Sequence, residues 1–275
     1  MRNSTLGHIL SLFISLAFFL PQTVSADVVY EGWHKVLSAG QHVGYYIIRY
    51  ELDSKTKKFI QTSFLKSNAM GNDVTEALKA ESLQITKPNQ WILPVKYQYT
   101  SSVGKKVKII DAAFKEEKGG GKKSKDKKKT LRMVASITEN GKTSKVDQIL
   151  PENTFLSSFL TYIILQSKEG LKTGNNYTYN AVAEEDATVS EGTAFVKEEE
   201  KFNGQDAFKV INEFKKIRFI SYLTPQGEIL GTKSPLLSIA TEAAKTPEEA
   251  AGKVKIDTKN ITHLFGNIPS AQKKK

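Results

Sequence analysis

The sequence predicts a mainly β protein (β-rich α+β), a curved antiparallel sheet or half-barrel with one central amphipathic helix and C-terminal helices. Segments rich in β-branched and aromatic residues recur at strand length along most of the chain. Two Asn-Gly pairs, at 140–141 and 203–204, separate such segments and suit two-residue hairpin turns. Only the segment 152–168 combines length with apolar residues at helical spacing. Short strands joined by tight turns favour an antiparallel meander, closed or half-closed.

Residues 1–26 predict a cleavable secretory signal peptide. Arg2 gives the start a positive charge, residues 9–20 form an unbroken apolar run, and Ala26 ends a stretch of small residues typical of a cleavage site. The apolar run is shorter than the ~20 residues that cross a bilayer, and an uncleaved N-terminal anchor is the alternative. The chain has no cysteine, which leaves neither a lipid-anchor cysteine nor disulfides. We therefore expect a soluble protein of the periplasm, or a secreted one, with no membrane span after cleavage.

The first β section covers residues 28–150. Residues 43–52 are rich in aromatic and β-branched side chains. Residues 92–100 alternate with period two, which places Tyr97 and Tyr99 on one face of a strand. Residues 73–80 fit either a short helix or an edge strand.

Much of the positive charge lies in a Lys/Gly-rich run at residues 115–129, in a chain with a formal net charge of +11. The run cannot bury apolar surface, so we predict a disordered loop at a hairpin tip, and a disordered basic tail at residues 273–275. Two interpretations stay open for the loop, a solvated filler or a contact with an anionic envelope surface. The run has no aromatic residues for base stacking, which disfavours nucleic acid as a partner. The lysines of that contact would be Lys122, Lys123, Lys125, Lys127, Lys128 and Lys129.

The helical segment 152–168 carries Phe155, Phe159 and Ile163 on one apolar stripe. Such a stripe must be covered. It either packs on the inner face of the sheet or forms a lid over a lipid-sized cavity.

Strands and then helices follow in the rest of the chain. Residues 235–244 predict a helix, and Thr246 followed by Pro247 predicts the start of another. The candidate strands are residues 176–182, 193–202, 207–214, 217–223 and 228–232. The predicted organisation is a signal peptide at 1–26, a single β-rich domain at 27–234, and a helical C-terminal extension with the basic tail at 235–275.

No motif predicts catalysis, a cofactor or a metal site. The expected mature chain has His34, His42 and His263, and the sequence holds no HExxH pair, Gly-x-Ser-x-Gly elbow or Walker motif. His34 and His42 flank the first predicted turn, so we expect them near each other. The acidic run 184–186 is interpreted as a solvated edge. We expect a non-enzymatic protein, with a hydrolase that has an unrecognised site as a remaining alternative.

Aromatic residues concentrate on the predicted strands. They fit ordinary sheet core, or a cupped apolar surface that receives an acyl chain or a hydrophobic partner segment. Binding of a hydrophobic or envelope-derived ligand is the leading prediction, and an envelope scaffold or protein–protein adaptor is the alternative. The residues expected to line that surface are Trp33, Tyr45, Trp91, Tyr97, Tyr99, Phe155, Phe159, Ile163, Phe208 and Phe214.

The sequence also resembles an uncharacterised family of bacterial periplasmic β-rich domains. Residues 30–33 (YEGW) and 39–45 (AGQHVGY) resemble the opening of that family, a strand, a glycine-containing turn and a second strand. Residues 170–174, 202–210 and 222–228 are similar to its later half. The resemblance implies a curved antiparallel sheet similar to the half-barrels of outer-membrane lipoprotein carriers. The lysine run and the C-terminal helices depart from the family pattern.

Overall fold

The computed structural model of this chain describes residues 26–69, 71–87, 90–118 and 129–271. Within these ranges, fifteen strands form one large curved sheet that does not close, accompanied by a few short helices. The predicted fold class is therefore confirmed. The strands are β1 (Asp27–Ser38), β2 (Gln41–Asp53), β3 (Lys58–Ala69), β4 (Asn72–Lys87), β5 (Gln90–Val103), β6 (Lys106–Lys118), β7 (Lys129–Glu139), β8 (Lys142–Leu150), β9 (Phe155–Leu156), β10 (Asn176–Ala183), β11 (Thr188–Phe202), β12 (Gln205–Phe214), β13 (Ile217–Leu223), β14 (Ile229–Ser234) and β15 (Ile239–Ala244). The helices are α1 (Leu160–Gln166), α2 (Pro247–Ala251) and α3 (Thr258–Phe265), and a 3₁₀ turn (Ser157–Phe159) leads into α1.

The chain runs from the centre of the sheet to one edge, crosses to the other edge and returns to the centre. β1 to β8 pair in sequence order towards one edge, and β10 to β15 pair in sequence order from the other edge back to the centre. At the centre β15 pairs antiparallel with β1, with Trp33 opposite Ala244. The crossover between the two edges, residues 151–175, contains β9, the 3₁₀ turn and α1.

This crossover fills much of the concave face of the sheet. Phe159 is fully buried, and its ring centroid lies 5.2 Å from that of Phe59 on β3. On its other side, Ile164 packs with Val196 and Val210 of the returning strands. The apolar stripe of the crossover is thus covered on both sides by the two halves of one sheet.

The helix in the crossover is shorter than the sequence predicts. Phe155 and Leu156 are extended, because they pair with Ala181 and Val182 as a short parallel strand at the edge of β10. This pairing uses backbone groups that a helix would bond internally. The prediction of a helix over 152–168 is therefore wrong at both ends, and α1 is confined to Leu160–Gln166.

A second layer covers the outer face of the central strands. Trp33, Tyr45 and Phe64 pack against α2 and α3 in one buried cluster. The Trp33 Nε1 atom donates a 3.0 Å hydrogen bond to the carbonyl oxygen of Pro269, beyond α3. The C-terminal segment is therefore bound to the sheet over its described length.

Two further predictions of secondary structure are wrong. The helix predicted at 235–244 is instead a hairpin connection followed by β15, because β1 and β14 supply strand partners on both sides. Residues 73–80 belong to β4, an interior strand between β3 and β5, and are neither helix nor edge. In both cases, pairing with distant strands decides the structure over local propensity.

The hairpin of β6 and β7 extends further into the lysine run than predicted. Residues 115–118 and Lys129 are strand residues, in a register that ends with Lys118 opposite Lys129. The Lys129 ammonium lies 2.9 Å from the Glu116 carboxylate across the two strands. The other five predicted contact lysines, the tail at 273–275 and nearly all of the expected signal peptide lie outside the described residues.

Candidate functional site

The described residues predicted to line an apolar surface pack in separate clusters. Trp33 and Tyr45 belong to the outer cluster under α3. Phe208 and Ile163 pack at the margins of two different inner clusters, and Trp91 lies on β5. The inner core holds Tyr97, Tyr99, Phe155, Phe159 and Phe214, each less than 10% exposed. Most of these aromatic residues are therefore buried in packing contacts.

The concave face nevertheless contains a cavity of about 380 Å³ with a mixed lining beside the 3₁₀ turn, here called the polar cavity after its carboxyl and phenol groups. Strands β2 to β4 and β5 line one side, and β10, β12 and the turn after β10 line the other. Its apolar lining includes Leu65, Leu78 and Leu160. Its polar lining includes Tyr46, Glu76, Tyr99, Ser158, Tyr179, Glu184, Glu185 and Asn212.

Glu184 is the most deeply buried carboxyl group of this cavity, at 3% exposure. Its Oε2 atom accepts a 2.6 Å hydrogen bond from the Ser157 hydroxyl, and its Oε1 atom accepts a 3.1 Å bond from the Ser158 backbone N–H. Burial raises the pKa of Glu184 above its ordinary value, while these hydrogen bonds act in the opposite direction. The side chain is thus fixed in place.

Glu76 on β4 is the second carboxyl group with a raised pKa. Burial is the main cause, and a hydrogen bond from the Tyr99 hydroxyl partly opposes it. Burial also raises the pKa of Tyr46 to about 12, and nearby Glu76 and Glu184 act in the same direction. The phenols of this cavity are therefore neutral near pH 7, and the Tyr99 and Tyr179 hydroxyls donate to Glu76 and to Asn212 Oδ1.

Two features mark the mouth and the wall of the cavity. Glu185, next to the buried Glu184, is exposed, and its carboxylate lies 2.8 Å from the Lys215 ammonium. The hydroxyl of Ser158 is buried and has no hydrogen-bond partner among the described residues. The cavity thus opens at the turn between β10 and β11 and holds unused hydrogen-bonding capacity.

A groove of about 430 Å³ runs between α1 and β10, and Leu160 and Tyr179 line both it and the polar cavity. Phe155 and Ile163 from the predicted set line this groove, together with Ile164. The two spaces therefore share part of their walls along α1, and the groove also has a polar side that includes Glu152 and Glu169.

The two histidines that flank the first turn contact different parts of the structure. His34 is 1% exposed, its Nε2 atom lies 3.3 Å from the Tyr30 hydroxyl oxygen, and burial lowers its pKa to about 4. His42 instead bonds the carbonyl oxygen of Ala250 in the outer layer, at 2.8 Å. Neither histidine lines the cavity that contains Glu76 and Glu184. Among the described residues, no group of three or more His, Cys, Asp or Glu could hold a metal ion.

Sequence reasoning missed Glu184, Glu76 and Tyr46. The interpretation of residues 184–186 as a solvated edge is wrong for Glu184, because the turn after β10 places its carboxyl group over the 3₁₀ turn. The only sequence signal was a carboxyl group directly after an apolar strand end, Ala181 to Ala183.

Comparisons with known proteins bear on the fold. No protein-family model matches the chain, and no curated protein matches it either. A crystal structure of a beta-barrel-like protein of a domain of unknown function, DUF1849, from Brucella abortus is similar, with a TM-score of 0.50 and 10% sequence identity. The similarity covers 80% of this chain and 98% of that one. It supports likeness to an uncharacterised β-rich family, and it does not support the specific likeness to lipoprotein carriers.

None of the helices in the described ranges has the length and apolar character needed to span a membrane.

Proposed function

We propose that this protein is an exported, non-enzymatic binding protein that holds an amphipathic, envelope-derived ligand on the concave face of its sheet. The polar group of the ligand occupies the cavity at Glu76 and Glu184, and its apolar part follows α1 in the adjoining groove. The observation that carries the proposal is Glu184, a carboxyl group that is 3% exposed yet lines a cavity of about 380 Å³.

The chemistry of the cavity selects a ligand group that donates hydrogen bonds or carries positive charge. A carboxylate accepts hydrogen bonds and pairs with cations, and burial strengthens both interactions. The ring faces of tyrosines add attraction for a cation, and Tyr46, Tyr99 and Tyr179 all line the cavity. An ammonium or hydroxyl-rich head group with an apolar body meets these requirements.

The hydrogen bonding favours binding over turnover. Both oxygens of Glu184 accept hydrogen bonds from the 3₁₀ turn, which fixes the carboxyl group as a receptor. His34 has a lowered pKa and does not line the cavity.

Native mass spectrometry and solvent extraction of the purified mature protein test the proposal. We expect a co-purifying amphiphile with an ammonium or polyhydroxyl head group in the wild type, and loss of most of it in Glu76→Gln and Glu184→Gln. The matched control is Glu139→Gln, which removes an exposed carboxyl group at the end of β7. Protein that is free of ligand and binds no such amphiphile on addition would contradict the proposal, as would equal retention by all three folded variants.

A second candidate function, as a protein–protein adaptor, is favoured by the open edge of β8. β8 ends the sheet and has a paired strand on one side only, among the residues that the structure describes. Two copies of the chain could pair antiparallel through their β8 edges, and two-fold symmetry would then place one residue of β8 opposite the same residue of the other copy. With Val146 at that position, Lys145 of each chain meets Asp147 of the other. Registers centred on Lys145 or Asp147 would bring like charges together.

Charge exchange tests this candidate. Lys145→Asp alone should reduce self-association measured by sedimentation, and Lys145→Asp with Asp147→Lys should restore it. A wild-type protein that is monomeric at every concentration rules out this use of the edge.

A further inference from the structure

The connection between β14 and β15 exposes three apolar side chains at one end of the sheet. Leu236 is 73% exposed, Leu237 is 47% exposed and Ile239 is 43% exposed. Most exposed apolar residues in a soluble protein are scattered singly, whereas a contiguous group marks an interaction site. The three exposed side chains therefore indicate an interaction site at this connection.

The connection is held in a defined conformation. The Ser238 N–H donates to the Pro235 carbonyl oxygen at 3.3 Å, and the Ser238 carbonyl accepts from the Ala39 N–H at 2.8 Å. Ser234, at its base, is 5% exposed, and its hydroxyl lies 3.4 Å from the Arg218 carbonyl oxygen. The leucines are thus presented at a fixed tip, anchored to two neighbouring strands.

Basic side chains surround this tip. Lys216 and Arg218, at the start of β13, are exposed and lie towards the same end of the sheet. Lys233, at the end of β14, is also exposed, and its ammonium lies over the rings of Tyr222 and Phe202, 5.4 and 5.6 Å from their centroids. Glu213 lies 3.6 Å from Arg218, and both side chains are more than half exposed. The tip therefore combines protruding apolar groups with an excess of positive charge.

We infer that the β14–β15 connection docks the protein on an anionic lipid surface. Leu236 and Leu237 enter the boundary between head groups and acyl chains, and Lys216 and Arg218 lie against the lipid phosphates. A lipid surface fits this tip better than a folded protein does, because a stable protein interface needs roughly 1,000 Å² of complementary area. Three exposed apolar side chains supply less area than that, and leucine side chains partition readily into the acyl boundary of a lipid layer.

The docking surface lies near the mouth of the polar cavity. Phe219 lines the cavity, and the next residue on β13, Ile220, pairs with Lys233 of β14. Adjacent strands are about 4.8 Å apart, so the tip begins one strand away from the cavity lining. The inference does not depend on the proposed ligand, but docking would bring the cavity to the lipid surface.

Vesicle flotation tests the inference with the full mature chain. We expect binding to vesicles of mixed phosphatidylglycerol and phosphatidylcholine, weaker binding to phosphatidylcholine alone, and loss of binding in high salt. Leu236→Ser with Leu237→Ser should reduce the affinity by roughly tenfold or more, because each substitution removes apolar carbon groups that would otherwise be buried in the lipid. Lys216→Glu with Arg218→Glu should abolish the preference for phosphatidylglycerol.

The matched control is Ile149→Ser, which replaces an apolar residue that is 58% exposed on β8 at the edge of the sheet. It should bind vesicles like the wild type, and circular dichroism should show that every variant is folded. Absence of wild-type binding, or full binding by the double leucine variant, would overturn the inference. Self-association that depends on the leucines, without vesicle binding, would also overturn it and assign the tip to a second copy of the chain.

Discussion

A buried ion pair between Arg49 and Glu31 holds the C-terminal segment against the sheet, and removal of Glu31 should be costly. The Arg49 side chain is 5% exposed, and its Nη2 atom lies 2.8 Å from a Glu31 carboxylate oxygen. Arg49 also donates to the Phe265 carbonyl oxygen at 2.9 Å and to the Asn267 Oδ1 atom at 2.8 Å. Glu31 accepts a 3.0 Å hydrogen bond from the Ser270 backbone N–H. One pair thus joins β1, β2 and the chain beyond α3.

Glu31→Ala leaves the Arg49 guanidinium buried without its counter-charge. Loss of one partner from a buried pair costs about 3–5 kcal/mol of the free energy of unfolding. For a domain of this size, that loss lowers Tm by roughly 6–20 °C. Urea unfolding followed by tryptophan fluorescence measures the free energy, and Trp33, which bonds Pro269, should report release of the same segment.

The control is Lys35→Ala, which removes an ion pair with Glu249 at 2.7 Å. These side chains are 29% and 39% exposed, and such pairs contribute about 0–1 kcal/mol. The double variant Glu31→Ala, Arg49→Met should be more stable than Glu31→Ala, because it removes the unpaired charge. A cost for Glu31→Ala as small as that for Lys35→Ala would refute the reasoning.

Three further predictions concern the core and the cavity. Phe159→Ala should lower the free energy of unfolding by about 3–5 kcal/mol, because a fully buried ring is removed from between two halves of the sheet; a loss below ~1 kcal/mol in urea unfolding would contradict this packing. Gly44→Ala should lower the free energy of unfolding by about 1–3 kcal/mol, because the new Cβ atom on β2 would lie 2.1 Å from the Lys66 carbonyl oxygen. Gly231→Ala tests a comparable contact, since its Cβ atom would lie 2.5 Å from the Thr241 carbonyl oxygen. Glu184→Gln should change how stability depends on pH. The raised pKa of Glu184 stabilises the folded protein below the ordinary value of 4.5, and this contribution is lost as pH rises through the folded pKa. Ligand-free wild type should therefore lose stability relative to the glutamine variant as pH increases from 4 to 8, and parallel pH profiles would contradict the assignment.

Local patterns in the sequence predicted the strands well. Residues 43–52 and 92–100 fall within β2 and β5, since their side chains suit a sheet wherever its partners come from. The Thr246 cap of α2 was also predicted correctly, and its hydroxyl accepts a 3.1 Å bond from the Glu249 N–H. A cap depends on residues three positions apart, which the sequence displays directly.

Features that depend on distant residues were missed. Ile239–Ala244 became β15 because β1, some two hundred positions earlier in the chain, offers a partner edge. Glu184 is buried because the 3₁₀ turn of the crossover reaches it from a different part of the chain. Neither neighbour can be read from the local sequence, so neither the last strand nor the polar cavity could be predicted.

The pairing of β15 with β1 also determines which step of folding comes last. Every other strand neighbour in the described sheet is a neighbour in sequence, and all of these pairs except the parallel pair of β9 and β10 are antiparallel hairpins that form locally and early. Trp33 can pair with Ala244 only after β15, the last strand in the chain, has been synthesised. We therefore expect protease resistance to arise in one late step, when β15 pairs with β1.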